Sequence, residues 1–148
     1  MNHYVAELGE PDIDVAGLQL WVHGYQFQSA DDYWDGNWLN ATAICSSKGA
    51  SVQVQGYFIR TDEISDWRRT VDKLGIDLKG EAKLACMEPY ISVTLTAGSL
   101  GAIVMEVQIT PDHLTQEHRF EFSIDQNYLT LLSSQCARLL HAFPLRGI

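Results

Sequence analysis

Basic residues are missing from the first third of this 148-residue chain: residues 1–47 hold seven acids (Glu7, Glu10, Asp12, Asp14, Asp31, Asp32, Asp35) and no Lys or Arg. A surface so charged repels phosphate backbones and anionic lipid, which argues against nucleic acid and membranes as partners, and it speeds encounter with a basic one. Cysteine is scarce too. Cys45, Cys86 and Cys136 are odd in number, far apart and set in apolar contexts such as "ATAIC" and "KLACM", the pattern of buried reduced thiols rather than of a disulfide framework. No apolar run approaches the roughly 18 residues that span a bilayer. The opening "MNHYVAELGEPDIDVAG" lacks the basic and apolar regions of a secretion signal, so a cytoplasmic protein is expected. No repeat, low-complexity tract or Pro/Gly/Ser linker divides the chain. Residues 1–148 therefore read as one domain, with 1–16 as an irregular N-terminal segment.

What is present is the composition of a folded domain: 46% apolar and 20% charged residues, with a net charge of −9. "GLQLWVHGYQFQ" alternates Leu18, Leu20 and Val22 against Trp21, Tyr25 and Phe27, which predicts a strand with one apolar and one aromatic face. "NWLNATAIC" and "ASVQVQGYFI" continue as strands joined by a hairpin turn at "SSKG", the second placing Gln53, Gln55 and Tyr57 opposite Val52, Val54 and Phe58. The period then changes. "TDEISDWRRTVDKLG" puts Ile64, Trp67, Val71 and Leu74 at helical spacing, with Thr61 as N-cap and Gly75 as stop. "EAKLACM", "YISVTLTA", "GAIVMEVQIT" and "RFEFSI" return to period two, and "AGSLG" turns a hairpin between the middle pair. The last element, "NYLTLLSSQCARLLHAF", is a helix with Tyr128, Leu131, Leu132, Cys136, Leu139 and Leu140 along its stripe, ended by Pro144. Short connections between strands exclude parallel crossovers. The expectation is an α+β fold: one curved, mainly antiparallel sheet of about six to seven strands with two helices on one face.

Chemistry is harder to find. Counted as a calcium loop from Asp31, the sequence offers Asp31, Tyr33, Asp35 and Gly36 but Thr42 where the bidentate Glu belongs. His113 and His118 are five apart, off a common helix face, and His3, His23 and His141 stand alone. No phosphate-binding glycine loop, nucleophile elbow or zinc-protease helix occurs. Arg68 and Arg69 lie beside Asp66 and Asp72, as on a solvated helix face. Neither a metal, a cofactor nor a catalytic residue is expected, and the chain does not read as an enzyme.

Two surfaces remain. "DDYWDGNWL", residues 31–39, offers Asp31, Asp32 and Asp35 for charge with Tyr33 and Trp34 for desolvated contact, while Trp38 and Leu39 belong to the following strand and the core. The same stretch reads equally as a plug that specifies the fold. The second surface is the sheet face left open by the helices, where Trp21, Tyr25, Gln53, Gln55 and Tyr57 would line a small-molecule site.

Three stretches in order, "DYWDGNWLNATA", "MEPYISVTL" and "LLHAFPLRG", together resemble the WapI-type immunity proteins of bacterial contact-dependent toxin systems. The similarity runs over residues 18–147 and includes the central helix with its tryptophan. It implies a small, non-enzymatic cytoplasmic protein that binds the toxin domain at the C-terminus of a large secreted effector and so protects the producing cell and its siblings. The acidic segment is more aromatic here than the family pattern, so the resemblance does not carry over the partner's identity. It also leaves homo-oligomerisation open. Nuclease toxins carry Lys and Arg to hold phosphates, and the acidic residues 31–35 would suit such a basic partner.

Overall fold

A computed structural model describes residues 7–147; His3 lies outside them. The chain forms an α+β fold in which β1 (Ile13–Val15), β2 (Leu18–Tyr25), β3 (Trp38–Ser47) and β4 (Ala50–Arg60) make one antiparallel sheet in that order. A second antiparallel sheet contains β5 (Glu81–Ala85), β6 (Ile91–Ala97), β7 (Ala102–Ile109) and β8 (Arg119–Asp125). One helical turn, α1 (Tyr33–Gly36), stands between β2 and β3. The two long helices are α2 (Thr61–Asp77), between the sheets, and α3 (Asn127–Ala142), after β8.

Two sheets of four strands thus replace the single sheet of six to seven expected from the sequence. The reason is the junction at Arg60. Helix α2 starts at Thr61, directly after β4, and its 17 residues carry the chain about 25 Å at ~1.5 Å per residue. Beyond the helix β5 packs back along α2 and pairs with β6, beginning a new ladder. The helices do not share one face of one sheet either. They pack on each other, α2 lying along β5 and the end of β4 while α3 lies along β1 and touches β8. β1 falls inside the N-terminal segment expected to be irregular, and it is pinned by α3: Gln135 Oε1 accepts from Asp14 N at 3.1 Å.

Alternation explains which side chains meet inside. Across the first sheet Leu20, Ala43 and Val54 are in register, across the second Leu84, Val93 and Val107, and all six belong to one core. Ile64, Trp67, Val71 and Leu74 enter it from α2 as their spacing predicts. From α3 the core receives Leu129, Leu132, Cys136 and Leu139, whereas Tyr128 and Leu131 face out. The apolar stripe is rotated from the expected one. Gly17, in the β1–β2 turn, is tightly enclosed: a Cβ there would overlap the Ser46 carbonyl oxygen of its own sheet and the Phe122 ring of the other.

Bulges interrupt both ladders of this sheet, and one re-aims an aromatic side chain. The β2–β3 register shifts between Val22 and Gly24, so Tyr25 pairs with Leu39 on the core side instead of following Trp21 to the outer face. The β3–β4 register shifts between Leu39 and Ala41, where Gly56 adopts φ 138°. Beyond it Phe58 is buried and Tyr57 points to solvent.

Candidate interaction surface

Residues 26–37 form the connection between β2 and β3, and it exposes Phe27, Asp31, Asp32, Trp34 and Asp35. Asp32 caps α1, its Oδ2 accepting from Asp35 N at 3.0 Å, which is the usual work of an Asp at this position. The Asp32 carbonyl accepts from Gly36 N at 2.9 Å. Asn37 is completely buried; its Nδ2 donates to Tyr33 O at 2.8 Å and to Arg146 O at 3.1 Å, and its Oδ1 accepts from Arg146 N at 3.0 Å. Thus "DDYWDGN" folds back on itself, and it presents outward what does not fit inside.

Two arginines hold this connection from beneath. Arg60 is wholly buried, with Nη1 donating to Trp34 O at 2.6 Å, Nη2 to Tyr33 O at 2.8 Å and Nε to Asp62 Oδ1 at 2.9 Å. Its guanidinium lies 4.9–5.5 Å from the ring centroids of Trp38, Tyr33 and Trp34, within cation–π range. Arg146 Nη1 donates to Ala30 O at 2.7 Å, Gln28 O at 3.1 Å and Phe27 O at 3.3 Å, and its guanidinium stacks 3.4 Å from the Tyr25 ring centroid. A buried charge persists only when its donors are matched in this way. Neither arginine was singled out by the sequence reading. The one available cue for Arg60 is a lone basic residue ending the apolar run "YFIR"; for Arg146 it is the "FPLRG" close.

The outward side is aromatic. Trp34 is 62% exposed, Tyr57 52% and Phe27 42%, and Trp38 is half-buried between them. Tyr33 meets Trp34 edge-to-face at 5.2 Å, and Tyr57 meets both Trp38 at 6.0 Å and Phe27 at 6.1 Å. Asp31, Asp32 and Asp35 are exposed beside Trp34. Asp62 compensates Arg60 and receives the Tyr33 hydroxyl at 3.1 Å; its carboxylate holds the Tyr33 phenol above its usual range. The three loop aspartates form no ion pair among the described residues, so their charge faces the solvent.

The five residues of the second candidate surface are not brought together. Trp21 is only 3% exposed, its Nε1 donating to Gly9 O at 3.0 Å. Tyr25 packs edge-to-face on Phe143 and donates its hydroxyl to Pro144 O at 2.6 Å. Gln53, Gln55 and Tyr57 are exposed along β4. Gln55 and Tyr57 line a depression of about 230 Å³ with Glu88 and Tyr90, and a more open one of about 660 Å³ runs past Leu8, His23, Tyr25 and Gln55.

Elsewhere, burial dominates the titratable groups. Cys45 and Cys136 are buried and Cys86 partly so; burial pushes the first two thiols up to about 12, and burial next to Glu63 raises the third. Burial also raises the Glu63 carboxyl, against the pull of Met87 N and Arg60 N, which donate to it at 2.6 and 2.8 Å. Arg68 and Arg69 stand 3.9 and 3.6 Å from Asp72 and Asp66 on the surface of α2. His118 Nε2 lies 3.0 Å from Gln116 Oε1. Among the described residues no group of three or more His, Cys, Asp or Glu is placed to hold a metal ion, and no helix is long and apolar enough to cross a membrane.

No curated protein and no solved structure matches the chain. The model of the Immunity protein WapI-like family matches residues 11–144, from the residue before Asp12 to Pro144 at the end of the Tyr25 hydrogen bond, and the chain belongs to that family.

Proposed function

We propose that this protein is the immunity partner of a toxin domain, that it acts in the cytoplasm by binding and not by catalysis, and that it binds through the acidic aromatic surface of residues 31–35. The observation that carries this reading is Trp34: a large ring 62% exposed, flanked by Asp31, Asp32 and Asp35, on a connection whose backbone is held by two arginines. Rigid exposed tryptophans are typical anchors of protein interfaces, and unpaired carboxylates around one steer and register a basic partner. Phe27, Trp38 and Tyr57 extend the contact area. A toxin that must hold phosphates is basic at its own site, so an acidic surface both attracts it and occupies that site.

The test is co-purification with a cognate toxin domain, followed by titration across salt concentrations. Tight binding that weakens with salt, and weakens further on Trp34→Ala, is the expected result. Absent or salt-insensitive binding contradicts it. A second reading, a small-molecule module, draws on the depression at Gln55 and Tyr57. Its volume of about 230 Å³ is below the roughly 300–1,000 Å³ of ligand sites, whereas the depression of about 660 Å³ at Tyr25 and Gln55 is large enough but open; the reading predicts a ligand that raises the melting temperature without any partner protein.

A further inference from the structure

We infer that Arg146 is a positioning residue of the interaction surface: reaching from the chain's last segment, it fixes residues 27–37 in their binding conformation and touches no partner itself. This rests on the toxin-binding reading above. Three carbonyls of the connection, those of Phe27, Gln28 and Ala30, converge on one guanidinium nitrogen. The Arg146 backbone closes a two-way bond with the buried Asn37 side chain. Gly147, at φ 73°, lies so close to Tyr33 N and Asp32 C that no side chain fits there. The segment is therefore seated against both ends of α1, and Tyr25 anchors it from the core side through Pro144 O and the stacked guanidinium.

The consequence is twofold. A loop already ordered in the free protein loses little conformational freedom on binding, so its contacts are realised in full as affinity. With the inward carbonyls taken by Arg146 and Arg60, a partner reads this surface through carboxylates and rings. The charge of Arg146 also has no ion pair among the described residues; it is satisfied by carbonyl dipoles and the Tyr25 ring, an arrangement that a lysine, with one compact ammonium, does not reproduce.

Arg146→Ala and Arg146→Lys in the full chain test this by two readouts. The first needs no partner: hydrogen exchange of the free protein should accelerate at residues 27–37 while the exchange of β6 and β7 stays as in the wild type. The second is titration with the toxin domain. Arg146→Ala should lower affinity about tenfold yet leave the slope of log affinity against log salt unchanged, because Asp31, Asp32 and Asp35 are intact. The triple change of those aspartates to Asn should flatten the slope. Unchanged exchange at 27–37, or wild-type affinity despite accelerated exchange, overturns the positioning role. If Trp34→Ala and the Asn triple variant both bind as wild type, the toxin-binding surface itself is misplaced, a different failure from that of Arg146.

Discussion

Replacing Arg60 by Leu removes the charge on which the acidic aromatic connection is built. Three hydrogen bonds go: to Trp34 O, Tyr33 O and Asp62 Oδ1. Bonds to a charged group contribute about 1.5–3 kcal/mol each, but the Asp62 bond is discounted, since that side chain keeps 20% exposure and hydrates once released. The two carbonyls then account for about 3–6 kcal/mol, and burying a leucine in the same space returns roughly 1.5–2 kcal/mol. The net expectation is a loss of about 1–4.5 kcal/mol. That is survivable for a domain whose stability is typically about 5–15 kcal/mol. Urea unfolding at neutral pH, followed by circular dichroism, measures it. Arg60→Lys keeps the charge without the fork and should recover less than half of the loss. A loss under about 1 kcal/mol for Arg60→Leu would mean that the carbonyls find other partners cheaply and that Arg60 does not organise the connection.

Three further perturbations address the rest of the molecule. Gly17→Ala places a methyl group against the Ser46 carbonyl and the Phe122 ring and should cost about 1–3 kcal/mol by overpacking in the same unfolding assay; a neutral result would mean the two sheets separate freely there. Burial raises the Glu63 carboxyl above its ordinary 4.5, so the folded state holds that proton more tightly than the unfolded chain. The stability contribution of Glu63 is then greatest below that value and falls as pH rises through and above it. Glu63→Gln should remove this decline, as read from unfolding free energies between acid and neutral pH, and an unaltered pH profile would contradict the assignment. The Cys45 and Cys136 thiols, buried and raised to about 12, should resist a thiol-labelling reagent at mildly alkaline pH and react after denaturation in urea; rapid labelling of either in the native protein would refute it.

Much of this fold was legible because its periods are clean. Ile64, Trp67, Val71 and Leu74 announce α2, and Ile103, Met105, Val107 and Ile109 announce β7, since each set repeats at its element's own period and every member is buried. The limits of α2 were less legible. The N-cap position is Arg60 rather than Thr61, and the helix passes Gly75 to end at Asp77 with Leu78 at φ 52°. Glu63, three residues on, reaches back to accept from Arg60 N, the N3 half of a capping box. Sheet membership was not legible at all. Period-two patterning says which face a residue takes but not which strands share a ladder. A one-residue bulge moves Tyr25 to the other face from Trp21, which no alternation rule foresees.

At the candidate surface, composition singled out nine residues and left their role open. "DDYWDGNWL" contains both an inward and an outward part. Gly36, Asn37 and Leu39 are buried, whereas Asp31, Asp32, Trp34 and Asp35 are exposed, so the stretch specifies the fold with one set of atoms and faces solvent with another. What the sequence concealed was the support. Arg60 and Arg146 lie 26 and 116 positions from carbonyls they bind, Trp34 O and Ala30 O respectively, and a hydrogen bond from a side chain to a distant backbone oxygen places no constraint on the residue type that carries that oxygen.

The most direct measurement is hydroxyl-radical footprinting of the complex between this protein and its cognate toxin domain, scored side chain by side chain. Binding through the acidic aromatic surface requires Trp34, Tyr57 and Phe27, all exposed in the free protein, to lose their oxidation on complex formation while exposed Leu114 and Leu100 keep theirs. Protection of Leu114 or Leu100 with Trp34 still fully oxidised would place the interface elsewhere and contradict it.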